Sequence, residues 1–349
     1  MAAIEENVPL APLTTIGIGG PARYYQRAGT VDEVRDGVAW ARDRNVPLFI
    51  LGGGSNLLIS DDGFPGLVLH MDLRGITVES EDERAMVRVA AAEPWDAFVA
   101  RAVADGWAGI ECLSGIPGFT GATPIQNVGA YGQDVSETIV AVEALDRTTG
   151  RVMMFSNAEC RFGYRASLFK NHARDRYVIL TVTFALKRGG PASVRYPELK
   201  RYLEERNESL QDLSMVRNAT IAIRKRKGMV IDRSDPDTRS DGSFFMNPVL
   251  SAVELEAFRA RPGTESTPNF PAAEGTVKLS AAWLIEHAGF HRGFTHGNVG
   301  LSSKHTLALI NRGGGTAREA IELVTMIQGR VRERFGVEIH PEPTFIGFH

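Results

Sequence analysis

Apolar positions along this chain recur in two rhythms, one helical and one alternating. Val34, Val38 and Ala41 fall at helical spacing behind Thr30, with Glu33 three residues after it, the arrangement of a capping box. Tyr24 and Tyr25 open a strand, and the apolar runs Leu48–Leu51, Leu57–Ile59 and 66–70 predict three more. Residues 85–92 read as a strand, and Trp95, Phe98, Val99, Ala102 and Val103 line a helix that ends at Gly106. Strands follow at Ile139–Asp146, 151–155 and 177–187, a pattern of antiparallel hairpins. Gly189, Gly190 and Pro191 mark a boundary, beyond which Leu213, Val216, Thr220 and Ile223 place a stripe on a helix ending in the basic run 224–227. Ser251 with Glu254 forms a second capping box, with Leu250 and Leu255 as its staple, and Thr316 with Glu319 a third, ahead of Ile321, Val324, Ile327 and Val331. A short helix is predicted over 280–288 with Gly289 as its stop, a strand over 306–310, and a strand-like end over 337–348 interrupted by Pro341 and Pro343. Residues 232–242 and 262–275 read as loops. The order of elements is that of an α+β protein.

One stretch stands outside both rhythms. Residues 114–132, SGIPGFTGATPIQNVGAYG, are rich in glycine, carry two prolines and no charge. Glycine and proline oppose a helix there, and the segment is too apolar for a flexible linker. Bare backbone of this kind lets a ligand approach closely, and successive amides in such turns bind anions. Gln126 and Asn127 add uncharged donors and acceptors. The combination suits a neutral ring joined to a diphosphate, such as a flavin nucleotide; a structural loop of several turns accounts for it equally well.

Composition narrows the classes. A length of 349 residues predicts about two domains, with three within range. Hydrophobic content of 43% and charged content of 23% are those of a soluble globular protein. A net charge of −3 gives no general attraction to nucleic acid or anionic membrane, so an anionic ligand needs a local cluster. No apolar run reaches the roughly 18 residues that span a bilayer. The first ten residues carry Glu5 and Glu6 and no basic segment, which predicts a protein that is not exported. Cys112 and Cys160 form neither a metal pattern nor a C-x-x-C, and are read as buried free thiols of a cytoplasmic protein. His287, His291 and His296 lack acidic or thiol partners, so no metal is predicted. A G-x-G-x-x-G turn, a P-loop and a G-x-S-x-G elbow are all absent.

What remains is a set of five segments in order. Gly52, Gly53, Gly54, Ser55 and Asn56 lie between two predicted strands, and residues 125–132, IQNVGAYG, close the glycine-rich stretch. YRASLFK at 164–170, GSFFMNP at 242–248 and PEPTFIG at 341–347 complete it. With these segments the chain resembles the UDP-N-acetylenolpyruvoylglucosamine reductase family over nearly its whole length, and the segment at 164–170 resembles the longer of that family's two subtypes.

The resemblance implies a two-part FAD-binding region of the PCMH type, like that of vanillyl-alcohol oxidase, plus a carboxy-terminal α+β substrate domain. Its boundaries are expected at 1–75, completed by 336–349, then 76–190, and 191–335. It implies noncovalent FAD, NADPH as co-substrate, UDP-N-acetylglucosamine enolpyruvate as substrate, and a cytoplasmic monomer serving peptidoglycan synthesis. For the cofactor it implies Gly52, Gly53, Gly54, Ser55, Asn56, Ser114, Gly115, Ile116, Pro117, Gly118, Gly121, Ala122, Gln126, Asn127, Gly129, Ala130 and Tyr131. Ser243 is then the proton donor to C2 of the substrate. Arg165 and Glu342 stabilise the enolate, the first as a guanidinium fork and the second, when protonated, as a hydrogen-bond donor. Tyr164, Tyr196, Lys227 and Asn247 are implied to hold substrate. Met246 stands where many relatives have lysine, so a charge contact from that position is not expected here. Without the resemblance, Ser243 reads as a turn serine, Arg165 as half of a surface ion pair, Glu342 as an edge-strand charge and the 224–227 run as a solvated helix end. A rival reading is an FAD-dependent alcohol oxidase of the related fold, although no histidine lies within 52–56 to carry a covalent flavin. A rival outside enzymes is a sugar-nucleotide-binding module.

Overall fold

The computed structural model describes residues 3–81, 83–272 and 275–348. They fall into two compact units. The first gathers the described residues of Met1–Val8, Ala22–Gly54 and Pro65–Lys225; the second gathers those of Pro9–Pro21, Ser55–Phe64 and Arg226–His349.

The first unit holds a four-stranded sheet in the order Glu5–Pro9, Pro21–Ala28, Phe64–Met71, Leu48–Leu51, the last two parallel with Leu51 opposite His70. The helix Val31–Asp43 begins as its sequence requires. The Thr30 hydroxyl accepts the Glu33 amide and the Glu33 carboxylate accepts the Thr30 amide, both at 3.2 Å. A larger antiparallel sheet runs Val152–Ser156, Ile139–Asp146, Tyr177–Arg188, Arg84–Ala90, Ile76–Glu81. Trp95 and Phe98 of the helix Trp95–Ala104 pack against Phe184 of its central strand. The helices Pro197–Glu204 and Leu213–Arg226 bury Leu199, Leu203, Val216, Ala219 and Ile223 against Cys112. Their apolar stripe is therefore buried within the first unit.

The second unit is built around the helix Ala317–Phe335, whose Thr316–Glu319 capping box forms as read. Leu323, Val324, Ile327 and Val331 bury against a core that includes Ile16, Ile18, Leu58, Phe244, Phe245 and Leu301. Ser251 and Glu254 form their box at the start of Ala252–Arg259, and Ser280 caps Ala281–His287.

Several elements differ from expectation for reasons beyond local sequence. Thr123–Gln126 is a single helical turn inside the glycine-rich stretch. Pro124 is tolerated there because first-turn amides have no helical partner, and Asn127 ends the turn in the left-handed region at φ 48°. Asn269–Pro271, in the expected loop 262–275, is an edge strand with Phe270 opposite Lys278. The strand expected at 306–310 starts only at Leu309, because the Ala308 amide turns back to the His305 carbonyl. At the carboxy end, among the described residues, only Thr344–Ile346 is a strand, parallel to Leu57–Ile59 in the register Thr344–Leu57. The prolines on either side of Glu342 have no amide to give a ladder. Cys112 and Cys160 are buried free thiols, as the sequence predicts.

Candidate active site

In the first unit, the loop after Leu48–Leu51 meets the glycine-rich stretch backbone to backbone. A Cβ on Gly53 would lie 2.7 Å from the Gly118 Cα and 3.2 Å from the Phe119 nitrogen, so only glycine permits this contact. Nothing lies within 4 Å of the position that a Cβ on Gly52 would take. Beneath this loop sits His70, half-buried, whose Nδ1 is 2.7 Å from the Tyr25 hydroxyl and whose ring bonds the backbone of Gly52. Burial first, then the positive charge of Arg27, holds the His70 pKa below its ordinary value.

The remainder of the stretch is tied down piece by piece. The Ser114 hydroxyl donates to the Glu111 carbonyl at 2.6 Å, and the Gly115 amide donates to Asp96 at 2.6 Å. Asp96 in turn receives both terminal nitrogens of Arg217, at 2.7 and 3.0 Å. Burial pushes the Asp96 pKa up, but the Arg217 bonds and the Gly115 amide outweigh it and hold it below the carboxylate range. Gly118 accepts the Trp95 amide at 3.0 Å, and the Gly121 amide donates to Ala91 at 2.8 Å. Ile116, Pro117 and Gln126 are half-buried, and Ala122 is exposed.

The segment at 164–170 clasps the far end of this stretch. Arg165 stands at φ 51° inside a tight turn closed by the amides of Gly163 and Ala166. Its guanidinium donates to the Gly129 carbonyl at 2.8 Å and to the Asn127 carbonyl at 3.4 Å. The Asn127 side chain is committed to structure: it donates to Gly163 at 3.0 Å and accepts the Ser136 amide at 3.1 Å. The Ser167 hydroxyl donates to the Ile125 carbonyl. Gly129 packs against the Asp134 carboxylate and pairs with it in the short ladder that Ala130 shares with Gln133. Tyr131 meets the edge of Tyr196, ring centres 5.5 Å apart. Tyr164 is exposed, with the Arg165 guanidinium 5.7 Å from its ring centre. Arg224, which the sequence predicts at a solvated helix end, is buried, and burial pushes its pKa down against the charges of Tyr131 and Asp96. The helix turns that residue inward, while Lys225 and Arg226 are exposed.

In the second unit, Ser243 and Glu342 come together although 99 positions separate them in the numbering. The Glu342 amide donates to the Phe244 carbonyl at 2.8 Å, and the Met246 amide to the His340 carbonyl at 3.0 Å. Phe244 and Phe245 are fully buried and anchor this pairing. Asn56 joins it from a third segment: its side chain donates to the Glu342 carbonyl at 3.3 Å and its carbonyl accepts the Thr344 amide at 3.0 Å. Ser55, Asn56, Ser243 and Glu342 are all half-buried. Gly242 precedes the serine at φ 74°, a conformation that favours glycine. Asn247 accepts the Ala281 amide at 2.9 Å, so its side-chain oxygen serves a helix start. Lys227 is half-buried just beyond the end of Leu213–Arg226.

Sequence reasoning missed Asp96, Arg217, His70 and Asp241. Asp241 had one signal, its place beside Gly242 and Ser243; the other three carry none. Among the described residues no group of histidine, cysteine or carboxylate side chains could hold a metal ion, and no helix is long and apolar enough to cross a membrane.

Comparison with known proteins accords with this arrangement. Residues 22–156 match the FAD binding domain family, and residues 235–346 match the family described as UDP-N-acetylenolpyruvoylglucosamine reductase, C-terminal domain. The chain is 48% identical to the UDP-N-acetylenolpyruvoylglucosamine reductase of Thermobifida fusca, with 99% of this chain and 98% of that protein covered. It is 47% identical to the enzyme of that name from Streptomyces coelicolor, covering 98% and 90% respectively. The solved structure of the Thermus caldophilus reductase shares the fold, with a TM-score of 0.68 at 24% identity over 99% of this chain and 100% of that one. An FAD-binding region followed by a carboxy-terminal α+β domain of this kind, with identity sustained from end to end, places the chain in the UDP-N-acetylenolpyruvoylglucosamine reductase family.

Proposed function

We propose that this chain reduces the enolpyruvyl ether of UDP-N-acetylglucosamine enolpyruvate to UDP-N-acetylmuramate, with FAD as cofactor and NADPH as reductant. It does so as a cytoplasmic monomer supplying peptidoglycan synthesis. The reading assigns 1–75 with 336–349, then 76–190, to FAD and 191–335 to substrate. The observation that carries it is the backbone bond between Glu342 and Phe244, which pairs the segment of Glu342 with the segment of Ser243 in one half-buried strap.

The residues fit FAD. Gly53 leaves no room for a side chain against Gly118, and the Cβ direction of Gly52 is open. Gly52, Gly53, Gly54, Ser55 and Asn56 would hold the diphosphate, and the 114–131 residues named above the ring system. When bound, the flavin supplies a hydride to C3 of the enolpyruvyl group.

The chain's own residues do the rest. Arg165, its fork already oriented by two backbone carbonyls, holds the planar carboxylate of the substrate. Glu342, in protonated form, donates a hydrogen bond to the enolate as charge accumulates on the carboxylate side. Ser243 delivers its hydroxyl proton to C2. Tyr164, Tyr196, Lys227 and Asn247 hold the sugar nucleotide.

Ser243→Ala tests the assignment. A positioned proton donor contributes about 10²–10⁴-fold. The variant is expected to be bleached by NADPH at the normal rate and to reoxidise slower by that factor when substrate is added. Normal reoxidation would remove the serine from the reaction.

A further inference from the structure

Asp241 is buried two residues before Ser243 and has no part in the chemistry above. One carboxyl oxygen accepts the Thr15 hydroxyl at 3.2 Å, and the carboxyl also takes the amide of Leu57. Its other oxygen, Oδ2, is buried with no hydrogen-bond partner among the described residues. The three segments that meet here are the Thr15 turn, the strand that follows Asn56, and the backbone leading into Gly242 and Ser243. All lie in the second unit.

We propose that Asp241 is a positioning residue for Ser243, its carboxyl pinning the backbone that carries the serine to the Thr15 turn and to the strand Leu57–Ile59. This rests on the assignment of Ser243 as proton donor. A neutral carboxyl suits the place. It accepts from Thr15 and Leu57 through its carbonyl oxygen, and an ionised group would put charge on a buried oxygen that no described protein donor reaches. Burial pushes the pKa to about 8, against the smaller opposing effects of the Thr15 and Leu57 bonds. Of the charged or titratable residues on the segments that meet here, Asp61, Asp62, Arg239, His340 and Glu342 among them, none ranks among those influences. Asp61 is engaged by the amides of Ala317 and Arg318, at 2.7 and 3.0 Å. Ionisation of Asp241 draws water or moves the backbone, and either change displaces Ser243 from the position that proton delivery requires.

The two half-reactions of the holoenzyme, followed separately by stopped flow from neutral to strongly alkaline pH, test this. Bleaching by NADPH tests the activity itself and is expected to have no limb from Asp241. Reoxidation by substrate is expected to fall with a midpoint about 8, by about tenfold per pH unit beyond it. Asp241→Asn keeps the acceptor oxygen, cannot ionise, and is expected to lack that limb. Thr15→Val removes a bond that favours the charged form and is expected to move the limb to higher pH. Independently of activity, Asp241 has a raised folded pKa, so between its ordinary 3.8 and about 8 the native state holds a proton that the unfolded chain has lost. The wild type therefore loses melting temperature relative to Asp241→Asn as pH rises through that window, and the difference levels off above it. A reoxidation limb that survives in Asp241→Asn overturns the proposal, as does a melting difference that does not change with pH. Failure of NADPH to bleach the flavin overturns the reading of the activity instead.

Discussion

The glycine cradle of the first unit and the serine–glutamate strap of the second are made in opposite ways. The cradle is an absence of side chains: Gly53 meets Gly118 because it carries no Cβ, and Arg165 donates to the main-chain carbonyls of Asn127 and Gly129. The strap is a set of side chains placed by pairing. Phe244 and Met246 bond to Glu342 and His340, and buried phenylalanines fix the register. A ligand-shaped backbone can be written in one local stretch. A convergence of reactive groups has to be assembled from three distant ones.

That contrast predicts separable defects. The largest is in the strap. Glu342→Ala removes the hydrogen-bond donor to the enolate and is expected to lower kcat by about 10²–10³-fold. Because only the side chain changes, its backbone bonds to Phe244 and Asn56 persist and FAD binding is expected to be that of the wild type. A matching loss of FAD would merge the two regions into one.

Next comes the cradle. Gly53→Ala forces a methyl group against Gly118 and is expected to cost about 1–3 kcal/mol of stability, read as a lowered melting temperature. Its FAD affinity should fall with it. Gly52→Ala meets no protein atom within 4 Å, so the apoprotein should melt as the wild type while FAD binding weakens. Equal behaviour of the two variants would show that the loops are not set by their mutual contact.

The smallest effect concerns His70 beneath the cradle. Its folded pKa is lowered from 6.5, so below that value the unfolded chain binds a proton that the native ring refuses. Stability is therefore lost as pH falls from 6.5 through the lower folded value. His70→Gln cannot titrate, and its melting temperature is expected to drop less on mild acidification. Equal drops would place the ring in ordinary solvent.

The three capping boxes were legible because each is closed within four residues, and the strand Ile139–Asp146 because its apolar run is bounded by turns. The glycine-rich stretch was legible as a loop, but not its helical turn at Thr123–Gln126, which depends on a left-handed Asn127 held by Gly163 and Ser136. Arg224 read as solvated because its basic neighbours are; the face it turns to Tyr131 and Asp96 is a tertiary fact. The pairing of residues 244–246 with 340–342 left no local mark beyond two prolines. Family resemblance supplied the roles of Ser243 and Glu342 before any geometry did. It said nothing of Asp241, whose hydrogen-bond partners Thr15 and Leu57 lie far from it in the sequence.

An anaerobic titration of the purified holoenzyme in the visible range tests the central claim most directly. NADPH is expected to bleach the flavin bands, and UDP-N-acetylglucosamine enolpyruvate to restore them in equal amount without oxygen. A colourless protein that takes up no FAD, or a reduced flavin that only oxygen or an alcohol-derived product returns to yellow, would contradict it.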